Sequence, residues 1–77
     1  MVASMDIERE DQPIAEARAN LSELMAAVRL LRRVYFFASR GKRQAAIVPF
    51  ELGEAVQRAG GADKAMAIIT AYLEAEE

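Results

Sequence analysis

Pro13-Ile-Ala-Glu-Ala-Arg-Ala-Asn-Leu-Ser-Glu-Leu-Met25, an aromatic run, and Ser39-Arg-Gly-Lys-Arg-Gln-Ala-Ala-Ile-Val-Pro49 together decide how this chain folds. In order they supply an amphipathic helix, a hairpin tip loaded with cations and a buried strand. In the first piece Ala17, Leu21, Leu24, Val28 and Leu31 recur at i, i+4, i+7, i+11 and i+14, with Met25 widening the stripe, which predicts one helix from Ala15 with a single buried face. Pro13 suits the start of that helix and not its interior, and Glu16 meets the positive end of its dipole. Arg29, Arg32 and Arg33 fall in its last turn, where cations compensate the dipole.

Working outward, Val34-Tyr-Phe-Phe-Ala38 is β-branched and aromatic and reads as a strand, with Gln44-Ala-Ala-Ile-Val48 as its antiparallel partner. Gly41 supplies the left-handed backbone of a tight connection, and Arg40, Lys42 and Arg43 are expected to project from its tip. Ile7 and Ile14 are candidates for a short edge strand. Downstream, Leu52 and Val56 mark a helix over Phe50 to Arg58 that stops at Gly60-Gly61. A last helix, capped by Asp63, carries Met66, Ile69 and Leu73 at i, i+3 and i+7, with Ile68 and Tyr72 beside them. The predicted fold is α+β, a small three-stranded antiparallel sheet with helices in the order β-α-β-β-α-α.

A chain of 77 residues makes one small domain whose core contributes only a few kcal/mol. Cysteine and histidine are both absent, which removes disulfides and thiolate zinc sites as reinforcement. Slightly over half of the residues are apolar, more than a small monomer comfortably covers, so a dimer or larger assembly is expected. No apolar stretch approaches the roughly 18 residues of a spanning helix, and the acidic start does not read as a signal peptide, so the expected location is the cytoplasm, away from membranes.

The net charge of −2 averages three blocks of opposite sign. Residues 1–17 hold five acids against Arg9; residues 18–43 hold seven cations against Glu23; residues 51–77 hold six acids against Arg58 and Lys64. A basic middle between acidic ends fits a polyanion on one side and a different partner on the other, or else a solvated face. An enzyme is not expected. General base or nucleophilic chemistry falls to carboxylates, lysine or serine, and no pair has a recognisable spacing. Ser39-Arg-Gly-Lys-Arg lacks the glycines and following helix of a phosphate loop. Neither cofactor, metal nor small-molecule substrate is expected.

Residues 13 to about 58 resemble the Phd/YefM family of type II antitoxins, on Glu16-Ala-Arg-Ala-Asn-Leu-Ser22 above all, with Arg-Gly-Lys and Ala-Ala-Ile-Val-Pro downstream. The resemblance implies the same β-α-β-β-α-α order and a homodimer that binds a palindromic operator and represses its toxin-antitoxin operon. It implies further that residues 1–58 form the dimerisation and DNA-binding domain and that residues 59–77 bind and neutralise a cognate toxin. By the same resemblance Arg18 faces DNA. Asn20 and Ser22 either reach phosphates or serve as helix surface with local hydrogen bonds. Where the family has Thr-Arg before the turn this chain has Ala38-Ser39, and its Gly-Lys-Pro becomes Gly41-Lys42-Arg43, so the second DNA contact is expected around Ser39, Arg40, Lys42 and Arg43. Met66, Ile69, Tyr72, Leu73 and Glu74 are the expected toxin contacts, unless this helix covers its own dimer. Two alternatives to the antitoxin are an orphan DNA-binding regulator and a protein-interaction module without a toxin.

Overall fold

A computed structural model describes residues 8–76. Among them are three strands and four helices, an α+β fold: β1 (Asp11–Pro13), α1 (Ile14–Ala19), α2 (Leu21–Leu31), β2 (Tyr35–Ser39), β3 (Lys42–Ile47), α3 (Phe50–Ala59) and α4 (Ala62–Ala75). The edge strand falls between the two isoleucines proposed for it. Ile14 opens α1 instead, and Ile7 lies outside the described residues.

The sheet runs β1-β2-β3 and is mixed, which corrects the fully antiparallel expectation. β1 pairs in parallel with β2, Gln12 opposite Phe37, and the Phe36 amide donates to the Glu10 carbonyl at 2.8 Å. The cause is the connection. Two helices between β1 and β2 carry the chain back to the end where it started, as a parallel pair requires. β2 and β3 form the expected antiparallel hairpin, closed by Arg40 and Gly41, both at positive φ (54° and 78°), the signature of the twisted two-residue turn that suits a hairpin.

The single helix expected from Ala15 is broken. Asn20, at φ −110° and ψ 22°, ends α1 and begins α2: its amide donates to Glu16 O and its carbonyl accepts from Leu24 N, both at 3.0 Å. The break rotates the apolar stripe. Ala17, Leu24, Ala27 and Val28 are buried, whereas Leu21, Met25 and Leu31 are exposed. α2 closes on Arg32, held left-handed at φ 61°, a conformation that ordinarily favours glycine. These helices cover one face of the sheet, with Tyr35 and Leu24 fully buried and Phe37 and Ile47 packed against them. Gln12 joins this face; it is buried, and its Nε2 donates to Arg9 O at 2.9 Å.

β3 is not the buried strand expected: from Lys42 to Ala46 it is exposed, because it lies at the sheet edge. A bulge between the pairs Phe37–Ala45 and Ala38–Arg43 leaves Gln44 unpaired. That extra residue resets the alternation, so Ile47 faces the core and Arg43 faces the opposite side.

Gly60 and Gly61 end α3 as expected, and the bonding explains how. Gly60 N–H donates to Gln57 O at 3.0 Å and Gly61 N–H to Val56 O at 2.9 Å, a Schellman arrangement with Gly60 at φ 107°. Gly61, not Asp63, occupies the cap position of α4; Asp63 sits inside the first turn and makes no capping bond. α3 and α4 pack on each other, yet α3 buries no residue and α4 buries only Ala65. The radius of gyration, 14.3 Å, exceeds the roughly 11–12 Å of a compact domain of this length.

Candidate nucleic-acid and protein interfaces

β-strand alternation sorts the basic residues into two groups. Tyr35, Phe37 and Ser39 lie on the helix-covered side of β2, and Lys42, paired with Ser39, lies on the same side. Arg18 is on this side too. It stands exposed in the last turn of α1, its stem bordering an apolar hollow shared with Ile14, Leu21 and Phe37. Arg40 occupies the hairpin turn and is exposed. Arg18, Arg40 and Lys42 form no side-chain ion pair among the described residues, so their charge is available to a polyanion.

Arg43 departs from this group and does not project from the tip. Its Nη2 donates to Asp11 Oδ1 at 2.7 Å and its Nε to both carboxylate oxygens at 3.0 and 3.2 Å, while its guanidinium lies 3.7 Å over the Phe36 ring. The hydrogen bond from Arg43, helped by its positive charge, holds the Asp11 carboxyl below the usual aspartate range, and the same bond raises Arg43. Fork geometry and the ring face both favour arginine over lysine here. A basic residue two places after a turn gave no sequence signal of this clamp, because its partner lies 32 residues away.

The other arginines of the basic middle divide as well. Arg32 pairs with Glu51 at 3.1 Å and Arg33 with Glu8 at 3.4 Å. Arg33 is raised by its bond to the Tyr35 hydroxyl and then by Glu8. Glu51 is lowered first by a bond to its own backbone amide and then by Arg32. Asn20 is half-buried at the helix break and its side chain makes no capping bond; Ser22 is exposed in the first turn of α2.

On α4 the predicted contacts Met66, Ile69, Tyr72, Leu73 and Glu74 are all exposed. Ile68 and Ile69 line a shallow apolar groove against Leu52 and Val56 of α3. A second groove, absent from the sequence reading, opens between α2, the end of β3 and the start of α3, with Phe50 at its edge. Among the described residues no helix is long and apolar enough to cross a membrane. Neither a protein-family model, nor a curated protein, nor a solved structure matches the chain.

Proposed function

We propose that this chain is an antitoxin that works in the cytoplasm as a homodimer: it binds palindromic operator DNA to repress its own operon, and its C-terminal segment neutralises a cognate toxin. The observation that carries the DNA half is the exposed grouping of Arg18, Arg40 and Lys42, with Ser39, on one side and tip of the sheet. Two such patches related by a two-fold axis match two half-sites of an operator. Lys42 and Arg40 neutralise phosphates and set register; Arg18, able to make a bidentate contact with guanine, reads sequence. The likeness of residues 13–58 to Phd/YefM antitoxins points the same way.

The toxin half rests on α4, whose apolar side chains stay exposed beside an acidic end, the form of a helix that lies in a partner's groove. Electrophoretic mobility shift with the DNA upstream of the gene, at several salt concentrations, tests the first half. Arg18→Ala is expected to cost about 1–3 kcal/mol and relax sequence preference. An unchanged shift removes Arg18 from the interface, and no shift by the wild type at any salt leaves a protein-interaction module. Co-purification with the product of the neighbouring reading frame tests the second: deletion of residues 59–77 is expected to abolish capture. DNA binding without any captured toxin identifies an orphan regulator.

A further inference from the structure

Two exposed apolar surfaces of opposite charge lie apart from the proposed DNA face. The groove between α2, β3 and α3 is formed by Met25, Val28, Ile47 and Phe50 and flanked by Arg29, Arg32 and Glu51. Its volume, about 280 Å³, falls just short of the usual range for small-molecule sites and suits a few protruding side chains. Phe50 is 67% exposed and Met25 54%, a large apolar area that no other described residue covers. Arg29 has no ion pair among the described residues, and Arg32 keeps 58% of its side chain exposed although Glu51 holds it.

The complementary surface is the distal half of α4. Tyr72 and Leu73 are exposed there, Glu74 and Glu76 follow, and the last turn contains no basic residue. Acids at the negative end of a helix dipole disfavour the helix unless cations from elsewhere meet them.

We propose that the distal half of α4 from a second copy of the chain seats in this groove, Tyr72 and Leu73 against Met25 and Phe50, with Glu74 and Glu76 beside Arg29 and Arg32. The chain's own α4 is tied to α3 through Ala65 and the Gly60-Gly61 turn, and its distal apolar residues remain exposed. Charge decides against pairing between two α4 arms, since residues 62–77 hold four acids against Lys64 in each copy. The groove's own charges are Arg29 and Arg32 against Glu51, a net cation, so arm against groove is the attractive combination. Reciprocal exchange satisfies both copies under one two-fold axis. The inference needs neither DNA nor a toxin; it meets the proposed function only in that an arm seated this way is withheld from any other protein.

The absence of native cysteine makes the test direct. Full-length Met25→Cys and full-length Leu73→Cys are mixed in equal amounts, alone in solution, under thiol-disulfide exchange. The mixed disulfide is expected to exceed either homodisulfide about tenfold, against a roughly twofold excess for random pairing of two chains. Arg29→Glu with Arg32→Glu in the Met25→Cys chain is expected to remove that excess, and Glu74→Arg with Glu76→Arg in the Leu73→Cys chain to restore it. Circular dichroism checks that both variants remain helical. A dominant Leu73→Cys homodisulfide means that arms pair with arms and overturns the proposal. So do random pairing, indifference to charge reversal, or an intrachain disulfide when both cysteines are placed in one dilute chain.

Discussion

Arg43 and Asp11 join the two outer strands of the sheet across its central strand, the guanidinium donating three hydrogen bonds to the carboxylate while resting on Phe36 of β2. The pair is solvent-exposed, so its value lies in holding β1 in register more than in raw strength. It also commits a cation that sequence alone assigns to the hairpin tip. Under the proposed function, Lys42→Ala removes one phosphate contact from each copy and lowers the slope of log affinity against log salt by about 1.8 for the dimer, whereas Arg43→Ala leaves it nearly unchanged. Equal slopes for the two variants refute this division.

Acid is expected to release the same clamp. Asp11 titrates lower in the folded chain than when unfolded, so its contribution is complete above the ordinary aspartate pKa of about 3.9 and is lost as pH falls through the depressed folded value. Glu51, also lowered, adds to the loss with the same sign. In thermal melts taken from neutral to acid pH, Asp11→Asn is expected to start from a lower Tm than wild type and to fall less steeply below about pH 4.

The hairpin turn offers a separate test, because Arg40 occupies a positive-φ position that asparagine tolerates better. Arg40→Asn is expected to stabilise the chain by about 0.5–1 kcal/mol in urea titration while weakening DNA binding under the proposed function. Gly41→Ala has open space around its Cβ, but at φ 78° it is expected to cost about 1–2 kcal/mol from backbone strain alone.

Leu24 is completely buried between the helices and the sheet. Leu24→Ala is expected to cost about 2–5 kcal/mol, comparable to the whole stability of a domain this small. Far-UV circular dichroism is therefore expected to show a largely unfolded chain at 25 °C. Leu21→Ala, on the exposed side of the helix break, is expected to melt close to wild type.

Local chemistry made the hairpin, α3, the glycine break and α4 legible before any coordinates: aromatic and β-branched residues, Gly41, Pro49 and Gly60-Gly61 each act within a few positions. The parallel pairing of β1 was missed, a fully antiparallel sheet being expected, although a helix between two strands of one sheet already implies a crossover. The break at Asn20 was not, because one irregular residue leaves the apolar period almost intact while moving Leu21 out of the core. The bulge at Gln44 was equally silent, and it decides the side of Arg43. Of the site residues, the family resemblance singled out Arg18 and the pattern the α4 stripe, but long-range pairing, which engages Arg43, leaves no trace in spacing.

The three-residue strand β1 has a kinetic meaning. β2 and β3 meet through a two-residue loop, whereas β1 can pair with β2 only after both helices have ordered the chain between them, a much larger loop closure. β1 is thus expected to be the last seam to close and the first to open, and exchange of the Phe36 amide, whose acceptor is Glu10 O, measures that opening. Its hydrogen exchange is expected to proceed by local release of β1, at a free energy below that of global unfolding, with the N-terminal edge of the sheet detaching while the hairpin behind it stays whole.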